Sequence, residues 1–194
     1  DSQGQIVEQK WAVSKDGTRI PYFVIRSKST AVDGTAAGIV TGYGGFNIAQ
    51  KPTYLSAGGL FVEKGGVFVI ANLRGGGEYG EAWHNAGMFE QKQNVFDDMI
   101  AVSESLVREK IVHPNRLAVM GGSNGGLLVG AMITQRPDLF RVALARVPLM
   151  DMLRYQNSLI ARHWIPEYGS SEDPKIFPAL LAYSPYHNVR KGVH

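Results

Sequence analysis

The sequence predicts an α/β protein with a mostly parallel sheet and helices on both faces. From residue 39 onward, short apolar runs alternate with helical patterns, which is the order that parallel strands require because each crossover needs a connection long enough for a helix. Glycine-rich stretches directly follow several of the apolar runs. Before them, Lys15-Asp16-Gly17-Thr18 separates two apolar runs, and an Asp-Gly turn in that position predicts an N-terminal antiparallel hairpin.

The N-terminal part is predicted to consist of a linker, the hairpin and a connection. Residues 1–9 are polar and predict a linker. The hairpin strands are expected over residues 11–13 and 20–25. Because Pro21 has no backbone N–H, it predicts that the second strand lies at an edge of the sheet. Residues 27–38 are small and polar, which is typical of a mobile connection.

The alternating part begins at Ile39. Buried strands are predicted where short apolar runs occur, and helices where apolar residues recur every three or four positions. Strands are expected over residues 39–41, 67–71, 117–120 and 142–147, and helices over residues 54–63, 94–110 and 124–135. Residues 151–194 predict helical or loop material and no further strand.

Length and composition limit the classes of function. The 194 residues suit one domain. Twenty Lys and Arg against seventeen Asp and Glu give a net charge of +3, and the basic residues are scattered, which argues against nucleic-acid and membrane-surface binding. The sequence has no apolar run of membrane-spanning length and no cysteine, so disulfides and cysteine-built metal sites are excluded. We expect a soluble protein without metal or cofactor, compatible with either the cytoplasm or the periplasm.

One stretch carries a chemical signal. Gly121-Gly122-Ser123-Asn124-Gly125 lies between a predicted strand and a predicted helix, which is the pattern of a nucleophile elbow. Such a turn exposes the serine hydroxyl at the carboxyl edge of the sheet and places the Asn124 N–H at a helix N-terminus, where negative charge is favoured. The alternative is a glycine-rich turn in which Ser123 only caps the helix.

A serine elbow needs a histidine base and an orienting carboxylate, which in this fold follow the serine along the chain. No acid or histidine after Ser123 follows a strand of the required kind, so the triad looks unfinished. We interpret His187 as a turn residue and His84 and His113 as structural. The candidates considered downstream are Asp138, Asp151, Glu167, Glu172, Asp173, His163, His187 and His194.

A second glycine pattern suggests nucleotide binding. Gly75, Gly77 and Gly80 have the spacing of the dinucleotide fingerprint and follow a predicted strand. The acidic residues about 20 positions further on, Asp97 and Asp98, fall within a helical pattern rather than at a strand end. The cofactor interpretation is therefore disfavoured.

Five blocks together resemble the catalytic domain of the prolyl oligopeptidase (prolyl endopeptidase) family, and they occur in that family's order from about Trp11 to the end of the chain. The resemblance implies an α/β-hydrolase domain capped by a seven-bladed β-propeller, and cleavage of short peptides after proline. The blocks are Gly42-Tyr43-Gly44-Gly45-Phe46-Asn47, Asn72-Leu73-Arg74-Gly75-Gly76-Gly77-Glu78-Tyr79-Gly80, Lys92-Gln93-Asn94-Val95-Phe96-Asp97-Asp98, Gly121-Gly122-Ser123-Asn124-Gly125-Gly126 and Gln135-Arg136-Pro137-Asp138-Leu139-Phe140.

The resemblance also implies roles for single residues. Ser123 would be the nucleophile, and the Tyr43 hydroxyl and the Asn124 backbone N–H would form the oxyanion hole. These assignments agree with the chemistry, because a phenol and a helix-terminal amide both donate to a developing oxyanion.

The same resemblance implies a proline pocket. The Trp164 indole would stack on the substrate proline, and Phe46 and Tyr168 would line the pocket beside it. A flat aromatic wall in an apolar slot selects a rigid ring by shape and desolvation.

Two stretches of the family pattern, those with the catalytic Asp and His, do not occur in this sequence. The family's catalytic Asp, in an Asp-Asp-Arg-Val stretch, and its His, in a Gly-His-Gly stretch, lie beyond the last residue of this sequence. We therefore expect a partial hydrolase domain without its last strands and without the propeller, inactive unless another polypeptide segment completes it. Two other classes stay open: a carboxylesterase on the same fold, and a non-catalytic fragment that binds a partner through its exposed sheet edge.

Overall fold

The structure is a computed structural model that describes residues 4–193. Within this range six strands form one sheet in the order β1-β2-β4-β3-β5-β6. The last four of these strands in the sheet are parallel, and β1 and β2 are antiparallel. The α/β class and the mostly parallel sheet are confirmed. The strands are Gln5–Val13 (β1), Arg19–Ser27 (β2), Gly38–Gly42 (β3), Val67–Ala71 (β4), Leu117–Gly122 (β5) and Val142–Arg146 (β6).

Four helices connect the parallel strands, and two more follow the last strand. Their bounds are Ala57–Glu63 (α1), Glu81–Asn85 (α2), Gln93–Arg108 (α3), Asn124–Gln135 (α4), Ile165–Tyr168 (α5) and Phe177–Tyr183 (α6). The long helix predicted over residues 94–110 is α3, and the helix after the elbow is α4 with the predicted bounds. Short 3-10 turns are added at Phe89–Gln91, Pro137–Leu139, Tyr155–Asn157, Ala161–Trp164 and Tyr186–Asn188.

The linker predicted over residues 1–9 is wrong for the residues that β1 includes. Strand β1 begins at Gln5 and pairs with β2 along its whole length. Its polar residues are compatible with a strand because β1 lies at the edge of the sheet and is half exposed, and the Glu8 carboxylate accepts a hydrogen bond of 2.9 Å from the Arg26 side chain on β2. Residues 1–3 lie outside the described part of the chain.

The hairpin is confirmed, but the edge position predicted from Pro21 is wrong. Strand β2 pairs with β1 on one side and with β4 on the other. Pairing with β4 begins only at Tyr22, and the Pro21 carbonyl accepts the N–H of Asn72, which lies just past the end of β4. The missing N–H of Pro21 therefore faces a place where the ladder has already ended, and an interior strand tolerates it.

Apolar side chains of the central strands pack against helices on both faces of the sheet. On one face Val40, Val69 and Val119 join the main core, which α3 and α4 cover. On the other face Phe68 and Ile70 pack against Val62 of α1 in a smaller cluster. The prediction of helices on both faces is confirmed.

Strand β6 forms the second edge of the sheet. All five of its residues are exposed, including the apolar side chains of Val142 (50% exposed) and Leu144 (45% exposed). Within residues 4–193, β5 is the one strand that pairs with it. An edge of this kind offers unpaired hydrogen-bonding groups and apolar surface to further polypeptide.

The C-terminal part packs into the main core and adds no strand among the described residues after 150, as predicted. Helix α6, which the sequence did not single out, buries Leu180 and Tyr183 in the main core. No helix of residues 4–193 has both the length and the apolar character that crossing a bilayer demands.

Candidate active site

The elbow forms as predicted. Ser123 lies between β5 and α4 with φ 55° and ψ −119°, a strained conformation for a residue with a side chain, and it is partly exposed. A Cβ at Gly121 would collide with the Gly125 carbonyl oxygen, and a Cβ at Gly125 would lie 2.9 Å from the Gly42 carbonyl oxygen. The two glycines therefore let α4 start directly against β5 and β3.

The alternative of a helix-capping serine does not fit this geometry. The Ser123 carbonyl accepts hydrogen bonds from the N–H groups of Gly126 and Leu127, but the side chain makes no capping bond. The hydroxyl therefore remains available for other chemistry.

Tyr43 lies beside this hydroxyl. Strands β3 and β5 are parallel neighbours, so the loop after β3, which carries Tyr43, reaches the same edge of the sheet as Ser123. Burial raises the pKa of the Tyr43 hydroxyl above its ordinary value, and contact with the Ser123 side chain opposes that rise. The phenol therefore keeps its proton at neutral pH and can donate it in a hydrogen bond.

Asn124 contributes to the site through both its backbone and its side chain. As the first residue of α4 it has a backbone N–H without an acceptor inside the helix. Its side chain is buried and connects several segments: Nδ2 donates to the Tyr43 carbonyl at 2.7 Å, and Oδ1 accepts from the Tyr168 hydroxyl at 2.7 Å and from Lys92 Nζ at 3.2 Å. Lys92 also donates to the Gly44 carbonyl at 2.9 Å.

Glu167 holds the other end of the same loop. Its Oε1 accepts the Phe46 N–H at 2.8 Å, and its Oε2 is hydrogen-bonded to His84 Nε2 at 2.7 Å. Glu167 is only 4% exposed. Residues 43–46 are thus held by three buried side chains from three different elements, which preorganises the phenol of Tyr43.

Lys92 is a fully buried cation. Desolvation lowers its pKa to about 8, against the opposing effect of the Glu167 charge. The ammonium also lies 5.4 Å from the centroid of the Tyr168 ring, a cation–π contact.

An aromatic row continues from Tyr43 away from the elbow. Ring centroids are 6.3 Å apart between Tyr43 and Phe46, 5.6 Å between Phe46 and Tyr168, and 5.3 Å between Tyr168 and Tyr155. Phe46 is half-buried, but Tyr168 has no exposed surface. The predicted role of Tyr168 as a lining residue is therefore corrected: it lies behind Phe46 and anchors Asn124.

A cavity of about 580 Å³ lies at the Tyr155 end of this row, and Tyr155 and Trp164 form part of its wall. Its lining does not include Ser123, Tyr43 or Phe46. Trp164 is partly buried and packs against the main core. The cavity is open to solvent on the side of the exposed residues Leu159 and Ile160. Its lining consists of Val147, Pro148, Leu149, Met150, Asp151, Arg154, Tyr155, Asn157, Ser158, Leu159, Ile160, Ala161 and Trp164.

The structure confirms the interpretation of His187 as a turn residue. It lies in the 3-10 turn Tyr186–Asn188, and its Nδ1 faces both the buried Ser184 hydroxyl at 2.8 Å and the Asp151 carboxylate at 3.9 Å. Because one nitrogen serves both contacts, the three residues cannot relay a proton in the way of a triad.

No other histidine of the described residues is hydrogen-bonded to Ser123 either. His84 is bonded to Glu167, His113 accepts an N–H from Asn115, and His163 is exposed. His194 lies outside the described residues. Within residues 4–193 no group of three or more histidine, aspartate or glutamate side chains could hold a metal ion.

The glycines of the second pattern, Gly75 and Gly77, allow close packing against the loop that carries Tyr43. A Cβ at Gly75 would collide with the Gly44 carbonyl, and a Cβ at Gly77 would lie 2.5 Å from the Asn47 carbonyl oxygen. The stretch therefore packs against the Tyr43 loop, and the helix that follows it, α2, has only five residues. Asp98, a candidate ribose ligand in the nucleotide interpretation, is buried and paired with Arg74.

Sequence reasoning missed Lys92, Glu167 and His84 as parts of the site. The sequence predicts no role for Lys92 beyond its place in a motif block, because its burial has no local signal one residue before the helix begins. Glu167 and His84 are 83 residues apart along the chain, so their pairing could be found only from the fold.

The strained serine between a parallel strand and a helix, with a phenol from the loop after the neighbouring strand beside it, defines an α/β-hydrolase with a serine nucleophile elbow. A family model described as the prolyl oligopeptidase family matches residues 54–194. The chain belongs to the prolyl oligopeptidase family.

Known relatives and solved structures agree with this assignment. The chain is 50% identical to a prolyl endopeptidase of Dictyostelium discoideum over 179 residues and 44% identical to one of Elizabethkingia miricola over 191 residues. A chain from a structural analysis of two prolyl endopeptidases superposes with a TM-score of 0.96 at 52% identity, over 98% of this chain. Prolyl oligopeptidase B from Galerina marginata superposes with a TM-score of 0.97 at 41% identity over the whole chain.

The chain corresponds to only part of these proteins. It spans 24% of the Dictyostelium enzyme and 27% of the Elizabethkingia enzyme, and 28% of each of the two solved chains.

Proposed function

We propose that the protein containing this chain is a serine peptidase that cleaves short peptides on the carboxyl side of proline through an acyl-enzyme on Ser123. The observation that carries the proposal is the position of the strained, partly exposed Ser123 and of Tyr43 at the ends of two neighbouring parallel strands, at one edge of the sheet. A nucleophile and a charge-stabilising donor at one sheet edge are the central requirements of acyl transfer.

In the proposed reaction the Ser123 oxygen attacks the carbonyl carbon of the proline residue. The carbonyl oxygen becomes an oxyanion and accepts hydrogen bonds from the Tyr43 hydroxyl and the Asn124 N–H. The tetrahedral intermediate then expels the amine, which leaves the acyl group on Ser123, and water hydrolyses that ester. A histidine oriented by an aspartate, from polypeptide outside the described residues, takes the serine proton and gives it to the leaving amine.

The proline ring is proposed to bind at the aromatic row. Phe46 exposes part of its ring near Tyr43, and Trp164 borders the adjacent cavity. Both surfaces are flat and apolar, which suits a pyrrolidine ring that loses little conformational entropy on binding.

We further propose that the rest of the hydrolase domain completes the sheet at β6, and that a β-propeller accompanies it in the same polypeptide or in another chain. The five exposed residues of β6 support the first part. The relatives of which this chain covers about a quarter are named as prolyl endopeptidases, and their greater length supports the second.

Covalent labelling tests the role of Ser123. We expect a fluorophosphonate to label Ser123 rapidly in the full-length protein and slowly in residues 1–194 alone, because a serine without its base loses turnover on the order of 10⁶-fold. Ser123→Ala is the negative control and Ser103→Ala, a buried serine on α3, is the matched control. Equal labelling rates with and without the rest of the protein would contradict the proposal.

A substrate comparison tests the class of hydrolase. The full-length protein should cleave a peptidyl-proline amide with a higher kcat/KM than a nitrophenyl ester of a simple acid. The opposite order would favour a carboxylesterase. No hydrolysis of either substrate and no labelling would favour a non-catalytic protein that binds through the β6 edge.

A further inference from the structure

The buried lysine at the start of α3 has no part in the proposed bond-making steps. Lys92 is 1% exposed, and the structure places no carboxylate within salt-bridge distance of it in the described residues. Its ammonium instead faces two oxygens, the Gly44 carbonyl at 2.9 Å and Asn124 Oδ1 at 3.2 Å. Burying a cation without an ion pair is costly, and the two oxygens together with the Tyr168 ring offset that cost.

These contacts fix the orientation of the Asn124 side-chain amide. Its oxygen accepts from two donors, Lys92 Nζ and the Tyr168 hydroxyl. With the oxygen held in this way, Nδ2 must point to the opposite side, where it donates to the Tyr43 carbonyl at 2.7 Å. An ammonium has donors only, so Lys92 excludes the flipped amide.

The backbone of the Tyr43 loop is therefore held at two successive carbonyls. Asn124 holds the carbonyl of Tyr43, and Lys92 holds that of Gly44 directly. The direction of the Tyr43 phenol depends on this backbone, because only two side-chain torsions separate the ring from the Cα atom.

We propose that Lys92 is a positioning residue for the oxyanion hole, acting through the Asn124 amide and the Gly44 carbonyl to hold the Tyr43 hydroxyl beside Ser123. The inference rests on the proposed serine peptidase function. It assigns to Lys92 an effect on the transition state rather than on substrate binding, because the oxyanion exists only after attack.

The test uses the full-length protein and a double-mutant cycle between Lys92 and Tyr43. Lys92→Met keeps the length and apolar stem of the side chain but removes every donor. We expect kcat for a peptidyl-proline amide to fall by about 10-fold or more, with KM changed by less than about 3-fold, since a displaced oxyanion donor loses part of the 10²–10³ that a deleted donor costs. In a Tyr43→Phe background, the same substitution should lower kcat by less than about 3-fold, because the phenol that it positions is already absent.

Two further variants separate positioning from general packing. Lys92→Gln retains an N–H donor and should recover part of the lost kcat; it also carries the test if Lys92→Met does not fold. Tyr22→Phe removes a different buried hydrogen bond, to Ser105 on α3, and should leave kcat unchanged. If the fold-losses in kcat of Lys92→Met and Tyr43→Phe multiply in the double variant, Lys92 is a structural residue and the inference is overturned.

Crystal structures keep this test distinct from that of the proposed function. In Lys92→Met the Tyr43 hydroxyl should move out of contact with the Ser123 side chain, whether or not the protein hydrolyses peptides. A wild-type protein without activity, together with a displaced Tyr43 in the variant, would refute the proposed function and support the positioning. An unmoved Tyr43 would refute the positioning role even in an active enzyme.

Discussion

Removing the guanidinium of Arg74 should destabilise the domain through a carboxylate that remains buried. Asp98 on α3 is 0% exposed, and Arg74 donates to it from Nε at 3.0 Å and from Nη2 at 2.7 Å. Arg74 also pairs with Asp16 in the turn of the hairpin. The cluster therefore ties β1 and β2 to the start of the glycine-rich loop that packs on the Tyr43 loop.

The size of the expected loss in stability depends on the buried Asp98 carboxylate, which remains in Arg74→Met. Breaking one side of a buried pair typically costs 3–5 kcal/mol. Here Asp98 keeps two donors, the Ser14 hydroxyl at 2.6 Å and the backbone N–H of residue 74 at 3.1 Å, and Asp16 is half exposed and can be solvated. We therefore expect a loss at the lower end, about 3 kcal/mol of unfolding free energy at pH 7.

The loss should depend on pH with a definite sign. Burial raises the pKa of Asp98, and Arg74 opposes that rise. Without Arg74 the folded-state pKa rises further above the unfolded value, so the folded variant binds a proton that the unfolded chain releases. Its stability relative to wild type should therefore be greatest at low pH and decrease as the pH rises through the folded pKa.

Peptide-resolved hydrogen exchange in increasing urea measures this free energy for the domain inside the full-length protein. Arg74→Met should lose protection in α3 and the hairpin, and Arg74→Met/Asp98→Asn should recover part of it, because the neutral amide needs no counter-charge. Arg136→Met is the matched control, since Arg136 is also paired with two carboxylates but at the surface, where such pairs contribute about 0–1 kcal/mol. A loss below about 1 kcal/mol at pH 7, or one independent of pH, would refute the reasoning.

Three further predictions concern the site. Trp164→Ala should lower kcat/KM for proline substrates by a factor that corresponds to about 1–3 kcal/mol of activation free energy. It should also reduce the preference for proline over alanine, measured with paired peptide amides. An unchanged preference would remove Trp164 from the pocket. Gly125→Ala should lower the unfolding free energy by about 1–3 kcal/mol, since its Cβ would lie 2.9 Å from the Gly42 carbonyl oxygen, and the same urea series measures it. The folded pKa of Lys92, about 8, lies below its ordinary value of 10.5, so the unfolded chain binds the proton more tightly and stability should rise between pH 8 and 10.5. Relative to Lys92→Met that rise should be about 3 kcal/mol, and a flat difference would contradict it.

The parallel part of the fold could be predicted because its signals are local. Strand β4 and helix α4 have the predicted bounds, since a short apolar run and a three- to four-residue period need no knowledge of the neighbours. The sequence predicts only residues 11–13 of β1, because residues 5–10 are mostly polar and lie partly exposed at the edge of the sheet. The edge position predicted from Pro21 is wrong because an interior strand tolerates a proline where its neighbour has already ended, and the end of β4 cannot be inferred from Pro21 itself.

For the site, the sequence could identify Ser123, Gly121 and Gly125 from the elbow pattern. Tyr43 became a candidate only through the resemblance, because an aromatic after a strand is commonplace. The support beneath it could not be predicted, since Lys92 and Glu167 contact the loop at sequence separations of 48 and 121 residues. Long-range contacts of buried polar groups have no periodicity from which to infer them.

Strands β3 and β5 pair in parallel from Gly38 opposite Leu117 to Thr41 opposite Met120. Strand β3 ends at Gly42 and β5 ends at Gly122, so Tyr43 and Ser123 each follow directly on the end of one of two neighbouring strands, whereas Trp164 lies in the 3-10 turn Ala161–Trp164 beyond β6. In the proposed function, the residues assigned to bond cleavage thus come from two neighbouring strand ends, while the proline contacts come from two separate segments, Phe46 on the Tyr43 loop and Trp164 beyond β6. Replacing Trp164 would therefore change one wall of the proposed pocket, while Phe46 keeps its place on the loop that carries Tyr43.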